Sequence, residues 1–191
     1  MLRSFDNLSG SQLENWFTEL FRNALQLRYY PTSGQIELNA LDPCHRRGLH
    51  LEIDGIILIN RTCVFVEVTN QNREFRNKIR SFARNCNLFL TSDHLSSREK
   101  YQLFEVPDED LDDFEDIENY RFLYIGTSNS FENENLTSAD FPDFPQIQSG
   151  LKILTSTDIE YFRQLSGLIN FYAQNELFAA IGLRPEDVSD E

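Results

Sequence analysis

Two acidic side chains stand inside runs of strand-forming apolar residues: Asp54 in His-Leu-Glu-Ile-Asp-Gly-Ile-Ile-Leu-Ile-Asn (residues 50–60) and Glu67 in Cys-Val-Phe-Val-Glu-Val-Thr (residues 63–69). Ionised carboxylates are rarely kept among apolar neighbours unless something pairs with them. Side chains two apart on a strand share a face, so Glu52 projects with Asp54, and Thr69 with Glu67. If the two strands pair as a hairpin, Asp54 and Glu67 converge near the point where the strands separate. Their oxygens can then share one Mg²⁺, a hard cation that takes one or two carboxylates plus water and phosphate oxygens. The reaction such a centre suits is attack of metal-activated water on a phosphodiester. Mn²⁺ is the expected substitute cation.

The elements that must position these acids can be read from apolar spacing. Ser11-Gln12-Leu13-Glu14 has the form of a capping box, and Leu13, Trp16, Phe17, Leu20, Phe21 and Ala24 follow at helical intervals. An amphipathic helix is therefore expected from about Gln12 to about Leu27, ended by Pro31, Ser33 and Gly34. A first strand is expected over Gln35 to Ala40. Leu51 to Ile59 and Cys63 to Thr69 form an antiparallel pair connected by Asn60-Arg61-Thr62. Phe75, Ile79, Phe82 and Ala83 predict a helix from about Asn72 to about Asn85, followed by a short buried strand over Asn87 to Thr91.

Ser96-Ser97-Arg98-Glu99 is a second capping box. Tyr120 to Thr127 and Leu151 to Thr155 read as further strands. Thr157-Asp158-Ile159-Glu160 caps a last helix carrying Tyr161, Phe162, Leu165, Leu168, Ile169 and Tyr172. The order of helices and strands predicts an α/β domain with a mixed central sheet flanked by helices. One domain is expected over 1–182, with an acidic insertion at about 105–150. Residues 183–191, without obvious core positions, read as an acidic tail or a linker to an absent domain.

On these residues the chain resembles the PD-(D/E)xK nuclease superfamily, whose fold is restriction-endonuclease-like. The matching positions are Asp54 in Glu-Ile-Asp-Gly-Ile-Ile, Glu67 in Val-Phe-Val-Glu-Val-Thr, and Glu14 on the leading helix. The resemblance runs from about residue 10 to residue 91. It implies a Mg²⁺-dependent phosphodiesterase, with Asp54, Glu67 and Glu14 at the metal and DNA, or else RNA, as substrate. By analogy it implies the effector of a defence or restriction system. Glu14 has an equally good role as the N3 acid of the first capping box.

Thr69 departs from the pattern, which places Lys there to activate water and stabilise transition-state charge. Three explanations compete. Lys78, on the next helix, reaches back to the site; Gln71 positions the water; or the domain binds without cutting, as an inactive nuclease-fold module for protein interaction or regulation. The first is preferred.

Charge is unevenly distributed along the 191 residues. The net value of −14 argues against a polyanionic partner, yet residues 1–104 hold 13 Lys and Arg against 11 Asp and Glu, while residues 105–191 hold 4 against 20. Arg73, Arg76, Arg80 and Arg84, with Arg46 and Arg47 in the loop before the paired strands, are the expected nucleic-acid contacts. Glu52 has a plainer reading, as a partner of Arg46 or Arg47. The acidic second half reads first as a solvated surface, and second as a dock for a protein partner or further domain.

Other classes receive less support. No glycine-rich phosphate loop follows any strand, which argues against a nucleotide-binding domain. Cys44, Cys63 and Cys86 lack the paired spacing of a zinc site. The start of the chain lacks the apolar stretch of a secretory signal, and no apolar run has the length of a membrane span, so a cytoplasmic protein with no membrane partner is expected.

Overall fold

The computed structural model describes residues 4–5, 8, 10–32, 36–45, 47–70, 75–127, 147, 150–184 and 188. Their centre is a five-stranded mixed sheet with helices on both faces. The strands are β1 (Arg28–Pro31), β2 (Gly55–Ile59), β3 (Thr62–Thr69), β4 (Asn119–Gly126) and β5 (Leu151–Leu154), in that spatial order. β1 to β3 are antiparallel neighbours, and β4 and β5 run parallel to β3. β2 and β3 are buried on both faces, which explains their nearly unbroken Ile, Val and Phe content.

Alternation along the strands feeds two separate cores. Ile56, Leu58, Cys63, Phe65, Phe122 and Tyr124 face the long helix α2 (Phe75–Thr91), whose Phe75, Ile79, Phe82, Ala83, Cys86 and Phe89 complete that layer. Ile57, Val64, Val66, Leu123 and Ile125 face the opposite layer. It is built by α1 (Ser11–Thr18), α4 (Ser156–Ser166) and α5 (Asn170–Ala180). The short α3 (Ser97–Tyr101) packs beside the α2 layer, and its predicted Ser96–Glu99 capping box is formed.

The other helix starts differ from expectation. Gly10, at φ 52°, is the N-cap of α1, and its carbonyl accepts from Leu13 and Glu14. Ser11 therefore lies inside the first turn and makes no cap. After Thr18 the helix widens to π-type bonding over Glu19–Ala24. In α4 the capping box is Thr155 with Asp158, two residues before the predicted Thr157 and Glu160, because the chain leaves β5 at Leu154 and turns directly into the helix.

Four further expectations are corrected. Residues 36–40 form a single bridge from Glu37 to His50 and a 3-10 turn, Leu38–Ala40, while the true first strand is Arg28–Pro31; Gln35 lies outside the described residues. An edge strand tolerates a proline at its end, so Pro31 was no barrier. Asn87 to Thr91 is not a strand but the last turns of α2, where Phe89 meets Phe65 edge to face with ring centroids 5.2 Å apart. The last predicted helix is two, interrupted at Gly167, where Leu168 and Ile169 N–H both turn back to the Leu165 carbonyl. Leu183, read as tail, is buried. Its N–H reaches the Phe178 carbonyl across Gly182, which sits at φ 79° and closes α5.

The acidic stretch after α3 is folded as a 3-10 helix, Asp108–Phe114, with Leu111 and Phe114 buried. Several of its acids are paired within the chain: Arg28 meets Asp110 at 3.2 Å and Asp113 at 2.6 Å, Arg98 meets Asp112, and the Tyr30 hydroxyl donates to Asp110. No helix among the described residues is long and apolar enough to cross a membrane.

Candidate functional site

The site forms where β2 parts from β3. Gly55 opposite Val66 is the last paired position of the ladder. Just before it, Asp54 N–H donates to the Val66 carbonyl at 2.8 Å, and Asp54 Oδ2 accepts from Val68 N–H at 2.7 Å. One carboxylate oxygen thus takes the acceptor role that the diverging strand no longer supplies. The Tyr29 ring passes beneath this point, and its hydroxyl donates to the Asp54 carbonyl. A Cβ at position 55 would lie 2.5 Å from Tyr29 ring atoms, so only glycine fits without displacing the tyrosine.

Glu67 follows Val66 on β3 and shares the α2 face with Cys63 and Phe65. It is 8% exposed, and its Oε2 has no hydrogen-bond partner among the described residues. Such an oxygen is costly to bury uncompensated. Lys78, one turn into the described part of α2, places Nζ 3.3 Å from Glu52 Oε1. Tyr124 stands opposite Glu67 in the parallel β3–β4 register, with its hydroxyl beside the Thr69 side chain. The rings of Phe75 and Phe82 wall it in, at 5.7 and 5.8 Å between centroids.

These groups share one electrostatic field. Burial pushes the Asp54 carboxyl up to about 7; the Val68 N–H opposes this, Glu14 and Glu52 add to it, and Lys78 opposes it. Burial also holds the Glu67 carboxyl well above the usual range, reinforced by Asp54, Glu52 and Glu14 and opposed by Lys78. The Tyr124 phenol is raised by burial and by the Glu67, Glu52 and Asp54 charges. Four acids therefore act on a site to which Lys78 brings the opposing positive charge. The chain matches no family model, no curated protein and no solved structure.

Carboxylate oxygens suit a hard divalent cation, and the unpartnered Glu67 Oε2 is the atom such an ion would satisfy. As placed, the described residues contain no group of three or more His, Cys, Asp or Glu side chains that would hold a metal. Asp54 and Glu67 lie side by side just past the last ladder pair, and Glu14, exposed on α1, acts on both.

The basic residues are placed elsewhere. Arg76, Arg80 and Arg84 recur one turn apart on the exposed side of α2. Arg76 and Arg80 are each two positions from Lys78, about 200° around the helix, and so face away from the acids. Arg47 is exposed in the loop before β2. Gln71, Arg73 and Arg46 lie outside the described residues. Two features escaped sequence reasoning. Glu52 pairs with Lys78, for which the Glu-x-Asp spacing was the available signal. Tyr124 joins the site only through a parallel pairing that nothing local announces.

Proposed function

We propose that this chain is a divalent-cation-dependent phosphodiesterase, a nuclease of the PD-(D/E)xK type with a restriction-endonuclease-like fold, acting on DNA before RNA. The observation that carries this reading is the buried Glu67 oxygen beside Asp54, unpartnered among the described residues, with the Lys78 ammonium in the same field. Asp54 and Glu67 would hold Mg²⁺ or Mn²⁺, with Glu14 as a further acid. The cation, when bound, lowers the pKa of a water and neutralises phosphate charge. Lys78 carries the positive charge that Thr69 lacks and offsets charge building on the phosphate oxygens. The Thr69 and Tyr124 hydroxyls, buried together, fill the position the motif gives to lysine and keep that wall of the site closed.

The choice of nucleic acid over a small phosphodiester rests on the resemblance at Asp54 and Glu67; the row formed by Arg76, Arg80 and Arg84, turned away from these acids, would meet a phosphate backbone only outside the metal site. Purified protein incubated with supercoiled plasmid, single-stranded DNA and RNA in Mg²⁺ or Mn²⁺ tests the proposal beside an Asp54→Ala/Glu67→Ala variant. Cleavage by the wild type alone supports it; equal cleavage by both, or none by either, counts against it.

A second reading, a nuclease-fold module that binds without cutting, is favoured by one observation: Thr69 is buried against Tyr124 and presents no charge. Stable DNA binding without cleavage under the same conditions would select it.

A further inference from the structure

Resting on the cation-site reading above, we propose that Glu52 is a further acid of this site and that Lys78 is its resident counter-ion, which an incoming divalent cation displaces. The Lys78–Glu52 contact differs from an ordinary surface ion pair. Only Glu52 Oε1 is engaged, at 3.3 Å, while Oε2 is buried with no partner among the described residues. The two side chains are about one-third exposed, 35% for Lys78 and 31% for Glu52, so neither is freely solvated.

Position gives the pair its meaning. Glu52 is two residues before Asp54 on the stretch that leaves the sheet, and its charge is felt at Asp54, Glu67 and Tyr124. Lys78 reaches the same three-acid neighbourhood from the first described turn of α2. Wherever the buried acids are ionised, a positive charge beside them is stabilising, whether it comes from a metal or from an ammonium. The ammonium supplies that charge in the protein alone, and a second cation of higher charge among the same carboxylates repels it. Occupancy of the site by a divalent cation therefore frees Glu52 to complete the donor set and frees Lys78 for an anionic phosphate.

The test is Mn²⁺ binding, read from the paramagnetic resonance signal of free ion, on the wild type, Lys78→Met, Lys78→Gln, Glu52→Gln and the Lys78→Met/Glu52→Gln double variant. Lys152→Gln, at an exposed position of β5, serves as a control for loss of a charge elsewhere on the protein. Removing Lys78 should tighten Mn²⁺ binding about tenfold, the range usual for coupled sites. Glu52→Gln should weaken it about tenfold, and in that background the gain from Lys78→Met should vanish, since the competition runs through Glu52. Lys152→Gln should leave the affinity within about twofold. A wild type that binds Mn²⁺ while the Lys78 variants bind no tighter, or keep their gain without Glu52, overturns this inference and leaves the nuclease reading standing. No Mn²⁺ binding by any variant overturns both.

Discussion

Replacing Asp54 by Asn should stabilise the protein, and do so only above a definite pH. Asp54 has its carboxyl raised from 3.8 to about 7, chiefly by burial and then by Glu14 and Glu52. Between those two values the folded state holds a proton that the unfolded chain has released, so stability is full below pH 4 and declines as pH rises towards 7. Three pH units at about 1.4 kcal/mol each give a ceiling of roughly 4 kcal/mol. Asp54 is partly exposed, and water screens the contributions of the neighbouring acids, so about 2 kcal/mol is expected. Asparagine keeps an oxygen for the Val68 N–H, so the ladder contact survives while the charge goes. Urea denaturation at pH 5, 6.5 and 8 measures the effect. The wild type should lose stability across this range. The Asn variant should show a shallower slope, exceeding the wild type by about 0.7 kcal/mol at pH 5 and by about 2 kcal/mol at pH 8. A variant less stable than the wild type at pH 8, or a wild type that gains stability from pH 5 to 8, would refute the reasoning.

The remaining expectations concern other links in the chain. Gly55→Ala sets a methyl 2.5 Å from the buried Tyr29 ring and should cost about 1–3 kcal/mol, read from the urea midpoint; a cost under about 0.5 kcal/mol would show that the ring moves freely. Thr155→Ala removes the hydroxyl that caps α4 by accepting from Asp158 N–H and donating to its carboxylate, with an expected loss of about 1 kcal/mol in the same assay. Changing Arg76, Arg80 and Arg84 together to Ala should weaken DNA binding at low salt. Each arginine that meets a phosphate should take about 0.9 off the log–log salt slope, and an unchanged slope would remove this face of α2 from the interface.

The paired strands were legible because β2 and β3 are buried on both faces and carry little but Ile, Val and Phe, while Asn60 at φ 46° supplies the tight turn. Asp54 and Glu67 stood out against that background for the same reason. Leu88-Phe89-Leu90 misled because a short apolar run is equally consistent with a buried strand and with the inner face of a helix. β1 was hidden by Pro31, which reads as a breaker unless it is known to sit at the end of an edge strand. The site's supporting groups were less accessible still. Glu52 and Lys78 are 26 residues apart, and Tyr124 arrives beside Glu67 through a crossover between parallel strands, so both depend on tertiary pairing.

The measurement that bears most directly on the nuclease reading is the rate of Mg²⁺- or Mn²⁺-dependent plasmid cleavage by the wild type beside Glu67→Gln and Lys78→Ala. Cleavage should stop with chelation, be lost in Glu67→Gln, and fall by about 10²-fold or more in Lys78→Ala, the cost of removing a group that stabilises transition-state charge. Cleavage that persists in Glu67→Gln at the wild-type rate, or that ignores chelation, would contradict the nuclease reading.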